Sequence, residues 1–71
     1  MPWTKNVFSS RASSVGYDEN TRELSVTWAK GGKTSIYEDV PEEVAQDLST
    51  SVSVGRMLNN EIIPNYKHRY A

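Results

Sequence analysis

The residue types that most often perform chemistry in proteins are few in this chain and lie far apart. Cysteine is absent, which excludes a thiol nucleophile, a redox pair and a cysteine-ligated zinc site. The one histidine, His68, lies near the C-terminus between two basic residues, and no partner that would position it as a general base is close in sequence. The serine-rich stretch 9–14 lacks a nucleophile-elbow motif. We therefore expect no enzymatic activity, no cofactor and no small-molecule substrate.

Phosphate-binding glycine motifs and metal-ligand clusters are also missing from the sequence. Residues 30–33 contain two adjacent glycines without the spacing of either phosphate fingerprint, so we predict a hairpin turn there. Glu43 and Asp47 lie four positions apart, but a hard cation needs several oxygen ligands that converge from different elements. We interpret the two carboxylates, together with Glu42, as a solvated helix face or as an acidic face that docks a protein partner.

The C-terminal tail alternates aromatic and basic side chains. Single-stranded nucleic acid binds to such mixtures, because rings stack on bases and cations follow the backbone. In an extended tail Tyr66, His68 and Tyr70 would share one face, and Lys67 and Arg69 would share the other. In the alternative interpretation, Tyr66 or Tyr70 packs back onto the body while the basic residues keep this end in solution.

The composition limits the kind of protein that this chain can be. A length of 71 residues fits one small domain, and 37% hydrophobic with 24% charged residues is typical of globular proteins. The formal net charge of -1 lacks the basic excess of dedicated nucleic-acid binders, although the ends are basic and the middle is acidic. No apolar run approaches the roughly 20 residues of a membrane span, and no signal peptide is visible. We expect a cytoplasmic protein.

The hydrophobic pattern predicts three strands joined as an antiparallel meander, because apolar and polar residues alternate along them. In the middle strand Leu24, Val26 and Trp28 share one face, which must be covered. An edge strand in so small a sheet can pair with a second copy, which allows a homodimer. The predicted strands are residues 13–17, 23–29 and 34–40.

Two helices after the strands are predicted to cover this apolar face. Pro41 suits the first position of a helix, and the two glutamates that follow it suit the first turn. This helix should end near residues 49–50. A second helix should begin at Ser51 or Ser53, either of which can cap it, and should end before Pro64. The residues predicted to face inward are Val44, Leu48, Leu58 and Ile62.

These elements predict an α+β fold, a three-stranded antiparallel meander followed by two C-terminal helices packed on one face. Residues 1–8 are predicted to form an N-terminal lead-in, with Val7 and Phe8 packing loosely on the body. Residues 9–71 are predicted to form the single domain.

Several short segments, taken in order, give the chain a specific resemblance to a known family. They are Ser10, 15–18, 24–28, 37–41, Val44, Leu48, 53–55, Asn59, Ile62 and Tyr66. With these segments the chain resembles the KTSC domain, which occurs at the C-terminus of some lysyl-tRNA synthetases and as a stand-alone protein of bacteria and phages. The resemblance extends over about residues 9 to 70, nearly the whole chain.

The resemblance implies a non-enzymatic binding module without an established activity, for which RNA binding is a suggestion. The chain departs from the family pattern at three places. Ser35 stands at the first aromatic position of a Tyr-x-Tyr motif, Met57 and Leu58 replace an aromatic pair, and Ile63 stands where a base is common. The surface candidates that keep the family pattern are Gly55, Arg56 and Asn59. The predicted nucleic-acid contacts are Tyr37, Arg56, Asn59, Lys67 and Arg69.

A competing hypothesis follows from the acidic middle of the chain. In it, the chain is a phage or prophage accessory protein that binds a host protein. Glu42, Glu43 and Asp47 would supply the contact. Both hypotheses describe a macromolecular partner, and neither involves a membrane.

Overall fold

The computed structural model describes residues 2–7 and 9–71, which form one antiparallel sheet with a helical layer on one face. The five strands follow one another across the sheet in chain order. The elements are β1 (Trp3–Asn6), β2 (Ala12–Asp18), β3 (Glu23–Trp28), β4 (Thr34–Tyr37), α1 (Glu42–Thr50), α2 (Val54–Met57), which continues as a π-helical turn over Leu58–Ile62, and β5 (His68–Tyr70). The two helices therefore lie between β4 and β5 in sequence.

The three strands predicted from the hydrophobic pattern are present as β2, β3 and β4. Leu24 and Val26 face the helices and are fully buried, and Trp28 is half-buried on the same face. The turn between β3 and β4 places Gly31 at φ +87° and Gly32 at φ +68°. Glycine adopts this left-handed region without strain. The strands on either side of the turn, β3 and β4, pair antiparallel, which confirms the predicted hairpin.

The prediction of three strands was wrong in number, because a strand from each end of the chain extends the sheet. β1 pairs with β2, and β5 pairs with β4. Most side chains of these edge strands are exposed, so no apolar alternation marks them in the sequence. Backbone hydrogen bonds to a single neighbour are enough to hold an edge strand. The segment that we expected to be a lead-in thus contains β1. Val7 is half-buried against the core, and Phe8 lies outside the described residues.

A β-bulge in β2 lets residues on both sides of it reach the core. Ala12 and Ser14 pair with two consecutive residues of β3, so one residue of β2 is extra. Because side chains alternate along a regular strand, Ala12 and Val15 could not otherwise face the same side. Both are buried. The bulge also sets the path of the chain at Arg11, which immediately precedes β2.

The helices close over the inner face of the sheet at the predicted positions. Pro41, predicted at the first position of the helix, lies one residue before it as the N-cap of α1. Its carbonyl oxygen accepts hydrogen bonds from the backbone N–H groups of Val44 and Ala45 at 3.1 and 3.2 Å. Ser53 occupies the N-cap of α2 without a capping hydrogen bond from its side chain. The inward residues Leu48, Leu58 and Ile62 are fully buried, as predicted, and Val44 packs half-buried against the core.

The last helical turn is wider than an α-helical one. The backbone N–H of Ile63 donates to the carbonyl oxygen of Leu58 at 2.9 Å, a π-helical hydrogen bond. Such turns are rare in helices, and those that occur often lie at functional sites. This turn exposes Asn59 while Leu58 and Ile62 stay buried.

Among the described residues, no helix has the length and hydropathy required to cross a membrane.

A buried tyrosine hydroxyl ties the sheet to the segment that leads into α1. Tyr17 is 3% exposed, and its hydroxyl donates to the carbonyl oxygen of Val40 at 2.6 Å. We predict that Tyr17→Phe lowers the free energy of unfolding by about 1–3 kcal/mol, because a buried acceptor loses its donor. Urea unfolding followed by circular dichroism measures the change. Tyr70, which is 66% exposed, provides the control, and Tyr70→Phe should change stability by less than about 0.5 kcal/mol. Equal effects of the two variants would contradict the prediction.

Candidate nucleic-acid interface

Aromatic rings reach the surface where β4 and β5 form one end of the sheet. His68 and Tyr70 face the same side as Tyr37 and Ser35, their partners across the strand pair. The ring centroids of Tyr37 and His68 lie 5.4 Å apart, and those of His68 and Tyr70 lie 5.8 Å apart in an edge-to-face arrangement. His68 and Tyr70 line a cleft together with the half-buried ring of Trp28. We name the rings of Trp28, His68 and Tyr70 the aromatic shelf.

Buried groups beneath the aromatic shelf hold its rings in place. Tyr37, a predicted contact residue, is only 2% exposed and supports His68 from below. Burial raises the pKa of the Tyr37 phenol; nearby Tyr70 acts in the same direction, and Arg11 acts in the opposite one. The indole Nε1 of Trp28 donates to Oγ of the buried Ser35 at 2.8 Å, which fixes the plane of that ring.

Arg11 was not among the predicted contacts, yet it lies beside the aromatic shelf. The guanidinium carbon is 6.0 Å from the centroid of the Trp28 ring, and Nη1 donates to Oδ1 of Asn59. The Arg11 carbonyl accepts from the backbone N–H of Ala29 at 2.8 Å, so the residue is anchored to the end of β3. Arg11 and Asn59 are 48 residues apart, and no local pattern connects them. One indication of this position was present in the sequence, since Arg11 is a basic residue with no acidic residue before Asp18.

The surface around the aromatic shelf is locally basic. Nζ of Lys33 lies 6.0 Å from the centroid of the Tyr70 ring, and Arg11 lies beside Trp28. Ile63 completes the lining of the cleft, and none of the described residues that line it is a carboxylate. A chain with a net charge of -1 therefore presents cations next to exposed rings at this site.

Arg69 and Lys67, two of the predicted contacts, do not line the cleft of the aromatic shelf. Arg69 faces the opposite side of the sheet, where Nη2 is 2.8 Å from Glu23 Oε2 and Nη1 is 3.5 Å from Glu38 Oε2. The hydrogen bond to Glu23 raises the pKa of the Arg69 guanidinium. Lys67 is exposed just before β5. Tyr66 packs half-buried against the core, so the aromatic residues of the tail are divided between core and surface.

A second, more polar cleft adjoins the aromatic shelf through Arg11, which lines both. The predicted contacts Arg56 and Asn59 meet in it, together with Gly55. The structure thus brings together three surface positions that the sequence singled out and adds Arg11 to them. We name this second site the polar cleft, and its lining includes Ser9, Ser10, Arg11, Ser53, Gly55, Arg56 and Asn59.

The acidic residues predicted to bind protein lie on α1. Glu42 and Glu43 occupy its first turn and are exposed. Asp47 lines a cleft between the helices, which we name the helix cleft, with Met57 and Tyr66 among its other walls. None of the three acids lines the cleft of the aromatic shelf.

Comparison with known proteins identifies the family of this fold and surface. A sequence model described as the KTSC domain matches residues 8–66. The chain belongs to the KTSC domain family. The crystal structure of KTSC domain protein YPO2434 from Yersinia pestis superposes on this KTSC domain with a TM-score of 0.90 and 32% sequence identity, and the match covers 100% of this chain and 99% of that one. A protein of Tsukamurella paurometabola is 36% identical to this KTSC domain over 61 residues, 86% of this chain and 90% of its own length.

The pKa of Tyr37 reports the arrangement of this KTSC domain's aromatic shelf. We predict that the Tyr37 phenol titrates above its ordinary pKa of 10.0, mainly because it is buried. Arg11→Gln should raise this pKa further, because a cation that favours the phenolate is lost. Tyr70→Phe should lower it, because a competing negative charge is lost. Nuclear magnetic resonance of the tyrosine rings against pH measures both shifts.

The same titration has a consequence for stability with a definite sign. Because the folded state holds the proton of Tyr37 more tightly, its contribution to stability is complete below pH 10.0 and is lost as pH rises through the folded pKa. A Tyr37 pKa that responds to neither variant would contradict the positions of Arg11 and Tyr70.

Proposed function

We propose that this KTSC domain binds single-stranded nucleic acid at the aromatic shelf. The observation that carries the proposal is the combination of exposed rings, adjacent cations and a cleft without a described carboxylate. Base stacking on aromatic rings is worth about 1–3 kcal/mol per base and tolerates any sequence. Arg11 and Lys33 lie close enough to the rings to meet the phosphates of a stacked strand.

The geometry favours single strands over duplexes. Base faces are accessible in loops, bulges and ends, whereas a duplex hides them in its own stack. His68 and Tyr70 meet edge to face, so the aromatic shelf offers room for only one or a few bases. The rings of Tyr37 and Tyr70 beside His68 suit it to a stacking role. We therefore infer a binding module rather than an enzyme, and we keep the expectation of a cytoplasmic protein.

Titration of labelled single-stranded RNA at several salt concentrations tests the proposal. We predict that the logarithm of the association constant falls linearly with the logarithm of salt, by about 0.7 for each phosphate neutralised. Tyr70→Ala should weaken binding by about 1–3 kcal/mol through lost stacking. Arg11→Gln should weaken binding and reduce the salt slope by about 0.7.

Arg69→Gln is the matched control for this titration. It removes the same charge from the opposite face of the sheet, where Arg69 is already paired with two glutamates, and should leave RNA affinity near the wild-type value. The proposal fails if no single- or double-stranded RNA or DNA binds at low salt. It also fails if Arg69→Gln and Arg11→Gln weaken binding equally.

The acidic face of α1 supports a second candidate function, the docking of a basic protein segment. Glu42, Glu43 and Asp47 are exposed, and none of them forms a salt bridge with another described residue. Met57 and Tyr66 in the neighbouring helix cleft provide apolar surface for an anchoring side chain. A phage or prophage accessory protein that captures a host protein would use such a face.

Pull-down from a bacterial lysate tests this second candidate. We predict that replacing Glu42, Glu43 and Asp47 together by lysine abolishes capture of the partners, because a basic segment would then meet like charge. Circular dichroism of the triple variant checks that α1 still forms. Capture of the same partners at undiminished yield would contradict docking at this face.

A further inference from the structure

The polar cleft combines hydrogen-bond donors from two distant parts of the chain. Ser9 and Ser10 precede β2, whereas Ser53 and Asn59 belong to the α2 region, and their side chains line one concavity. Among the described residues that line it, none carries a carboxylate. Hydroxyl, amide and guanidinium groups without a competing acid are the chemistry that recognises an oxyanion.

Two arginines give the polar cleft its charge. A guanidinium has five N–H donors, and Arg11 uses one of them on Asn59. Arg56 forms no ion pair with any residue of the described chain. Asp47 and Glu61 line the neighbouring helix cleft, which Arg56 also borders, and neither lies within salt-bridge distance of it. Both cations therefore retain donors for a ligand.

Gly55 lets the two parts of the chain that form the polar cleft pack closely together. A Cβ added at this position would lie 3.4 Å from Cδ of Arg11 and 3.4 Å from Oγ of Ser9, which is van der Waals contact with both. The glycine therefore helps to hold Ser9 and Arg11 against α2, where they face Arg56 and Asn59 across the polar cleft.

We propose that the polar cleft binds a phosphate group. Arg11 borders both the polar cleft and the aromatic shelf, so one nucleotide can place its phosphate between Arg11 and Arg56 while its base stacks on the shelf. The nucleotide part of this inference rests on the proposed function, whereas phosphate binding is measurable without it. The phosphate is either a terminal phosphomonoester or a phosphodiester within the strand, because both present the same oxyanion.

Titration of the full chain with inorganic phosphate, followed by amide resonances, tests the cleft directly. We expect saturable shifts confined to residues 9–11 and 53–59. Arg56→Gln should weaken phosphate binding by about tenfold or more, because a charge-assisted hydrogen bond is lost. Arg22→Gln, which removes the same charge from a residue paired with Asp39, is the matched control and should bind phosphate as the wild type does.

The outcomes distinguish phosphate binding in the polar cleft from the proposed function. Shifts that do not saturate, or equal losses of phosphate affinity in Arg22→Gln and Arg56→Gln, would contradict phosphate binding in the polar cleft. Saturable phosphate binding without any RNA binding would support the polar cleft as a phosphate site and refute the proposed function.

A second experiment compares short single-stranded RNA with and without a 5′-phosphate. Tighter binding of the phosphorylated strand that Arg56→Gln removes would assign a terminal phosphomonoester to the cleft. Equal binding of both strands, weakened by Arg56→Gln, would assign an internal phosphodiester. RNA that binds equally well to the wild type and to Arg56→Gln would overturn the connection between the cleft and the shelf.

Discussion

Burial of the inner sheet face beneath two short helices is the interaction on which this structure depends. The chain is small and has no disulfide among its described residues, so packing must supply its stability. Leu24 and Val26 from the sheet and Leu48, Leu58 and Ile62 from the helical layer are fully buried together. Burying each such side chain contributes about 1.5–3 kcal/mol relative to leaving it exposed. Because the helical layer leaves the β5 end of the same face open, the arrangement that stabilises the fold also exposes aromatic rings.

The charges are divided between surfaces in a way that suits this architecture. On the outer face Arg69 is neutralised by Glu23 and Glu38, and near the start of α1 Arg22 is paired with Asp39. Arg11 and Arg56 have no such carboxylate partners in the described structure, although the net charge is negative. Local segregation of charge, rather than a basic excess, therefore makes one surface attractive to anions. The hydroxyl oxygen of Ser35 accepts a hydrogen bond from the indole of Trp28 and holds its ring in that surface.

Apolar periodicity in the sequence identified the strands and helices that build the core, because burial imposes that periodicity. It did not identify β1 and β5, since edge strands with exposed side chains need only a backbone partner. Periodicity placed Tyr37 on a face of its strand without showing that this face is the inner one. Its depth of burial depends on the rings of β5 that pack over it. The pairing of Arg11 with Asn59 depends on the register of the whole sheet against the helical layer, and a local motif cannot report it. The division of Arg69 from His68 and Tyr70, by contrast, follows from simple strand alternation and was anticipated.

Fluorescence of Trp28 provides the most direct measurement of whether the open end of the sheet is the working surface. In a Trp3→Phe variant Trp28 is the single tryptophan of the chain. Titration of this variant with single-stranded RNA should quench its emission saturably, with the same dissociation constant that an independent binding assay gives, because a base stacks beside the indole. RNA that binds without changing the emission of Trp28 would place the contact elsewhere and contradict the role of the aromatic shelf.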